Sequence, residues 1–486
     1  MRPNDLNHLA HKRKVVALTG ATGYIGGNLM KQLKKDASII ALSRHADASQ
    51  NTENVQWRSC DFFSQEQAVE ALKGADTAIY LIHSMLPSAK LTQGGFEDMD
   101  AILAAHFARA AAFNGVRQII YLSGIVPEGI PEKNLSRHLR SRLEVERILG
   151  SYGVPVTTLR AGLIVGPEGS SYPILSRLVR RLPIMVLPSW TNNKTDPVAL
   201  ADVLDTICNV IGREEVMGRT IDIGGPQPMS YKELLRQTAD LLGVRRIMIP
   251  FPFPTVKLSR LWISLITGAP KEMVYPLVES LAHPMTAQNT AEVNGIDRGA
   301  ISYQAAARFA LEQASSKSTR KRTKAAHSSR RQDVRSVQRF VLPPGKDADW
   351  AGRHYLDWLG SAFKPFVYTQ RVGEDKVLVH VRPLPQPVLE LQYDRELSTL
   401  YRSVFRITGG RFALTENAHH GRLEFLQLPE SQQCLAGIHD YMPSLPWLLY
   451  KYGQAKIHLV VMNAYGRRLK KLVFENKIKQ HEEKHG

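Results

Sequence analysis

Glycines 20, 23 and 26 stand in the run VVALTGATGYIGGNLM, just after a strand-like apolar stretch and just before a helix-like one. In that context the first permits a tight turn, the second lets backbone approach a pyrophosphate, and the third allows the helix to pack closely on the strand. The helix N-terminus then offers unpaired N–H groups and the positive end of its dipole to phosphate oxygens. Thr22, Tyr24 and Ile25 lie among these glycines and complete the candidate cofactor loop. A glycine triplet alone is a weak signal, but the strand–turn–helix order makes this one specific for a dinucleotide.

The next candidates refine which dinucleotide. After the second predicted strand the chain reads Ile40-Ala41-Leu42-Ser43-Arg44-His45. An acid at that strand end would bond a ribose 2′-hydroxyl. Arg44 suits a 2′-phosphate instead, and Ser43 can donate to it. The expectation is NADP(H), with NAD(H) the second candidate. Asp61, in the SCDFF run after the third strand, is placed to meet the adenine amino group.

The elements that must carry these residues alternate. Strands are predicted at Val15–Leu18, Ser38–Leu42, Val55–Trp57, Ala78–Ile82, Gln118–Leu122 and Thr157–Leu159, with helices over 24–34, 96–114 and 136–150. Alternation of this kind builds a Rossmann-type, doubly wound parallel α/β sheet. Further elements fill 160–300, among them a strand at Arg219–Ile223 and a helix over 230–242 opened by a Ser230-to-Glu233 capping box. The expected domain spans 12–300 and includes a small substrate lobe. Within 313–338 the chain is polar and basic: nine Lys or Arg and one acid, Asp333, lie between Lys317 and Arg339, so a flexible linker is expected. Residues 340–480 read as a separate α+β domain. Its predicted strands are Val377–Val381, Val388–Tyr393, Tyr401–Ile407, Arg411–Thr415 and Arg422–Leu428, with a Gly409-Gly410 hairpin turn and a helical stretch over 445–474.

Composition narrows the classes. Net charge is +18 with a pI near 9.7, which favours anionic partners. Cys60, Cys208 and Cys434 form no CxxC pair, so neither a disulfide framework nor a cysteine-rich zinc site is suggested, and no metal is expected. The opening MRPNDLNHLAHKRK lacks the apolar core of a signal peptide, and no run is long and apolar enough to span a membrane. The expectation is a cytoplasmic, non-spanning protein.

The segments TGATGYIG, IYLIHSM, YLSG, LRAGLIVG and IGGPQPMSYKELL together resemble the atypical, extended short-chain dehydrogenase/reductase family over about residues 14–290. The resemblance is to its NmrA-like and nucleoside-diphosphate-sugar-epimerase-like branch. It implies a nicotinamide near the ends of the fourth and fifth strands. Ser123 matches the serine that bonds the substrate carbonyl. The family's Tyr-x-x-x-Lys pair is replaced here by His138 and Arg142. A cation four residues on, on the same helix face, disfavours imidazolium, so His138 is expected to be a poor acid, able to donate weakly as neutral imidazole. His83, after the fourth strand, is the second candidate donor. The C-terminal strands and long last helix resemble a helix-grip, START-like arrangement, which implies a cavity for an apolar ligand.

Two functions are expected from this. One is an NADPH-dependent oxidoreductase acting on a small carbonyl or apolar substrate. The other is a non-catalytic NADP(H)-binding sensor or accessory protein, like atypical relatives that sense nucleotide redox state or serve respiratory complex I. A third expectation has the basic linker contact anionic lipid or nucleic acid. Finally, PFPFPTVKLSRLWISLITGAP mixes aromatics with an amphipathic stretch that could cover an apolar pocket or touch a membrane surface.

Overall fold

β-branched runs such as VVAL, SIIALS and QIIYLSG are buried on both faces, as a central parallel sheet with helices on either side requires. A computed structural model describes residues 13–84, 91–253, 256–288, 296, 299–318, 334–415 and 421–485. They form two units, one of residues 13–84 and 103–318, the other of 91–102 and 334–485.

The first unit is built on seven parallel strands. From one edge to the other they are Val55–Ser59, Ser38–Ser43, Val15–Leu18, Thr77–Tyr80, Gln118–Gly124, Val156–Ala161 and Thr220–Ile223. The chain winds outward one way from Val15–Leu18, then returns to begin the other half at Thr77–Tyr80. The gap between those two neighbours is the topological switch point, where the carboxyl ends of the strands leave a crevice for a ligand. Each predicted strand lies within two or three residues of an observed one. The helix Arg137–Gly150 is capped by Ser136, whose hydroxyl accepts from Leu139 N at 3.2 Å. Ser230 accepts from Glu233 N at 3.1 Å, the capping contact expected there.

A second core of this unit gathers Tyr172, Met185, Trp190, Tyr231 and Val274, and forms the lobe beside the sheet. Helix Tyr303–Ser318 joins it through Ala306, Ala307 and Ala310. The Tyr303 hydroxyl lies 2.6 Å from Thr238 Oγ1.

The second unit has eight strands, in the order Val367–Val372, Lys376–Val381, Leu389–Tyr393, Arg402–Gly409, Arg422–Gln427, Gln433–Tyr441, Val334–Val341 and Leu91–Gln93. Pairing is antiparallel except at the last, where Leu91–Gln93 runs parallel to Val334–Ser336. Helix Ala348–Ala362 connects the Val334–Val341 and Val367–Val372 strands, and a long helix, Ala455–His485, follows the last strand. Tyr355, Phe425 and Tyr465 pack in the core with that helix, and the Tyr465 hydroxyl donates to Ala351 O at 2.7 Å.

Several expectations need correction. The linker expected over 313–338 loses both ends to regular structure: helix Tyr303–Ser318 runs into it, and strand Val334–Val341 begins before it closes. The rest of it lies outside the described residues. The strand reads as polar, yet Gln338 is buried and donates to Ser336 Oγ at 2.8 Å, while Arg339 pairs with Asp98 at 2.7 Å. Paired along its length with Gln433–Tyr441 and over Val334–Ser336 with Leu91–Gln93, it places its backbone polar groups inside the sheet. Domain limits of 12–300 and 340–480 shift accordingly, and residues 91–102 join the second unit. Arg411–Thr415 is not a strand; only Ala413 bridges, to Pro443. Gly410 has φ 108°, but the next strand starts at Arg422, so Gly409-Gly410 ends a strand without making a tight hairpin.

Candidate cofactor and substrate site

The glycine loop has the geometry its sequence implied. Gly20 turns with φ +64°, and Gly23 N donates back to Gly20 O at 2.8 Å. A Cβ on Gly26 would lie 2.2 Å from Gly20 O, so helix Tyr24–Leu33 starts pressed against the turn. Thr19 ties the turn to the neighbouring strand: its hydroxyl donates to Ile79 O at 3.0 Å and accepts from Leu81 N at 2.8 Å. Gly23 is the helix N-cap and supplies no side-chain acceptor, which leaves the first turn's N–H groups for a ligand. Thr22 and Gly23 are exposed at the rim, while Tyr24 and Ile25 are half-buried. Tyr24 packs on Gly166, and burial raises its phenol pKa above the ordinary value. A strand, a close-approach turn and an uncapped helix end at the switch point fit a dinucleotide pyrophosphate.

Ser43, Arg44 and Asp61 share one corner. Cys60 N donates to Ser43 O at 3.0 Å, and the Ser59 hydroxyl donates to Arg44 O at 3.1 Å. Arg44 is exposed. Asp61 Oδ1 accepts from Phe63 N at 3.1 Å, so this carboxylate also holds its own turn.

The two histidine candidates, 55 positions apart in the chain, come together. The His83 and His138 rings have centroids 5.5 Å apart and are tilted by 46°. His83 follows strand Thr77–Tyr80, and His138 sits in the first turn of helix Arg137–Gly150. Burial, then Arg142, then His83 itself hold the His138 pKa well below the ordinary histidine value, so it is neutral at pH 7. Among the described residues its buried Nδ1 has no hydrogen-bond partner. Arg142 donates to the Tyr121 hydroxyl at 3.3 Å. Ser123 is buried near the end of its strand, its hydroxyl also without a partner among the described residues.

Sequence reading missed what His138 faces. A cavity of about 200 Å³ lies in the lobe of this unit, and His138 and Gly124, the residue after Ser123, are part of its wall. The remaining wall is mostly apolar, with Leu175, Leu187, Trp190, Trp262 and Met285 among its residues. Trp190 donates from Nε1 to Ser259 Oγ at 3.1 Å and lies edge-on to Tyr231, so its ring is a fixed piece of wall. These residues come from separate helices and short strands, and no local spacing announces that they meet. Cys60 is buried and Cys208 partly so, with both thiols pushed up in pKa by burial, which fits a packing role.

Parts of the chain are similar to known proteins. Residues 20–179 match the NAD(P)H-binding family model. The auxiliary protein GraX of Staphylococcus aureus is 38% identical over 147 residues, covering 29% of this chain and 42% of that protein. A mitochondrial protein of Arabidopsis thaliana, NADH dehydrogenase (ubiquinone) 1 alpha subcomplex subunit 9, is 24% identical over 253 residues, covering 50% of this chain and 61% of that one. The chain thus spans less than two thirds of either relative. Among solved structures, a nucleoside-diphosphate-sugar epimerase from Staphylococcus aureus aligns at 18% identity with a TM-score of 0.48, over 60% of this chain and 99% of that one.

Proposed function

We propose, from an NAD(P)H-binding domain of the epimerase-like, atypical short-chain dehydrogenase type, that the protein is an NADPH-dependent oxidoreductase reducing the carbonyl of an apolar small molecule. The observation that carries this reading is the neutral His138, paired with His83, in the wall of a mostly apolar cavity. Gly20, Thr22, Gly23, Tyr24, Ile25 and Gly26 would hold the pyrophosphate; Ser43 and Arg44 would hold the 2′-phosphate and Asp61 the adenine. When bound, the nicotinamide supplies a hydride. Ser123 orients the carbonyl oxygen through its hydroxyl, which has no partner among the described residues. His138, kept neutral, donates a hydrogen bond rather than a full proton, an electrophile's role in which charge builds on the oxygen without a cationic acid. The proton that completes the alcohol would come from His83, whose ring centroid lies 5.5 Å from that of His138; burial first and Arg142 second keep His138 neutral, and Arg142 would hold the nicotinamide ribose. The apolar wall excludes water, which strengthens each of these contacts.

The second reading is an accessory or sensing role. It is favoured by the likeness to the Arabidopsis subunit and by the loss of the tyrosine–lysine pair. Turnover separates the two. NADPH should be oxidised when apolar aldehydes, enones and quinones are supplied, and His138→Ala should lower kcat about 10²-fold or more while leaving NADPH affinity unchanged. Binding without turnover across the whole pool favours the accessory role. Undiminished turnover in both His138→Ala and His83→Ala removes the roles given to these histidines.

A further inference from the structure

The strands Ile184–Pro188 and Ile247–Phe251 pair in parallel as a two-stranded ribbon of the first unit. Their inner residues Met185 and Leu187 are buried in the lobe core. A face of strands paired in parallel is ordinarily covered by other elements, and the outer face of this ribbon is not. That face is Ile184, Val186, Ile247 and Ile249, each about half exposed or more. The helix Val256–Thr267 repeats the pattern: Ser259, Ile263 and Thr267 face inward, while Leu258, Leu261 and Leu265 face out, Leu265 being 81% exposed. Phe253, just before that helix, is 62% exposed. An apolar surface of this extent marks an interaction site.

Two further observations say what covers it. Charge is the first. Helix Ser171–Arg181 and the segments 182–188 and 243–267 together contain no acid, but they carry Arg177, Arg180, Arg181, Arg245, Arg246, Lys257 and Arg260, the last of them ion-paired with Glu279. Arg177, Arg180, Arg245 and Lys257 are exposed. Arg246 binds the ribbon to the helix, donating to Val179 O at 2.6 Å and Arg180 O at 3.1 Å, so cations and apolar face belong to one rigid patch. Continuity with the cavity is the second. Val186 is half exposed on the outer face and also lines the cavity, and Trp262 of the same helix lines it too.

We infer that this face docks on the surface of an anionic lipid bilayer, and that the cavity is loaded from it with a lipid-dissolved substrate. Apolar side chains in the acyl–headgroup boundary with basic residues at headgroup level is how a monotopic protein holds a membrane. Among the described residues no helix is long and apolar enough to cross one, which agrees with surface attachment. The loading step rests on the proposed function; the docking does not, so the two fail separately.

The test is co-sedimentation of the full chain, without cofactor, with vesicles of phosphatidylcholine alone or mixed in equal parts with phosphatidylglycerol. Wild type should bind the mixed vesicles and lose binding as salt rises, each exposed cation adding about fivefold near an anionic surface. Ile247→Glu with Leu265→Glu should reduce binding about tenfold or more. NADPH affinity reports that this variant is folded, since neither residue belongs to the cofactor loop. A variant with Arg320, Arg322, Arg330 and Arg331 changed to Gln should still bind. Undiminished binding by the double Glu variant overturns the proposal and assigns any lipid contact to the basic segment. Absence of binding by wild type overturns it as well; if that protein is a dimer in solution and the Glu variant a monomer, the face joins two copies of the chain.

Discussion

Gly26 and Gly27 are adjacent in sequence and on the same helix, yet replacing each by alanine should have opposite effects. The added Cβ at Gly26 would lie 2.2 Å from Gly20 O and 2.8 Å from Gly20 C, both backbone atoms of the cofactor turn. Relief requires the helix and turn to part by about 1 Å, at a cost of about 1–3 kcal/mol from overpacking. The displaced atoms are those that would face the pyrophosphate, so affinity for NADPH and NADH should fall together, about ten- to hundredfold. At Gly27 the nearest atom to an added Cβ is Ala21 O at 3.4 Å, an ordinary contact, and the backbone is helical. Gly27→Ala should leave affinity intact and raise stability by up to about 1 kcal/mol through helix propensity. Fluorescence titration with each nucleotide and a urea midpoint for each variant measure both quantities. Wild-type affinity in Gly26→Ala would refute the close-approach argument; equal losses in both variants would show that the helix start tolerates no side chain at all.

Three further outcomes are expected. Arg44→Ala should weaken NADPH about tenfold or more and leave NADH nearly unchanged, because only the 2′-phosphate distinguishes them; equal affinities for both before and after the change would remove Arg44 from the site. His458, half-buried in the second unit with its Nε2 inside, has its pKa lowered by burial from 6.5 to about 4. Its folded form therefore resists a proton that the unfolded chain accepts, and stability should fall as pH drops from 6.5 towards 4, by at most about 1.4 kcal/mol per pH unit. His458→Leu should flatten that slope, and an unaltered slope would contradict the burial account. In the same unit Arg402 donates to Glu424 at 2.6 Å with both side chains buried, and His439 lies 3.5 Å from the same carboxylate. Glu424→Gln should destabilise by about 3–5 kcal/mol by leaving a buried cation uncompensated; a loss under about 1 kcal/mol would mean water reaches the pair.

The sheet and the cofactor turn were legible because both rest on local patterns. A buried parallel strand is a short β-branched run, and the glycine motif is fixed by contacts within seven residues, Gly20 to Gly26. The effect of Arg142 on His138 was legible for the same reason, being one helical turn away. What escaped depends on residues distant in the chain. Val334–Val341 looked like linker because Arg335, Ser336, Gln338 and Arg339 are polar, and the partners of Arg339, Asp98 and Gln433, are far off in sequence. The short strand Leu91–Gln93 gives no propensity signal, and its pairing with Val334–Ser336 joins residues more than 240 positions apart. The His83–His138 pairing and the cavity are likewise products of the fold. The outer apolar face was half legible: PFPFPTVKLSRLWISLITGAP drew notice, but its partner strand Ile184–Pro188 did not.

The most direct measurement is oxidation of NADPH by the purified full chain, followed at the cofactor's own absorbance, with a pool of apolar aldehydes, enones and quinones and with each nucleotide titrated first. Tight NADPH binding followed by substrate-dependent oxidation that falls with His138→Ala is the result expected. Tight binding with no oxidation by any member of the pool would contradict the enzymatic reading and leave a nucleotide-binding accessory protein in its place.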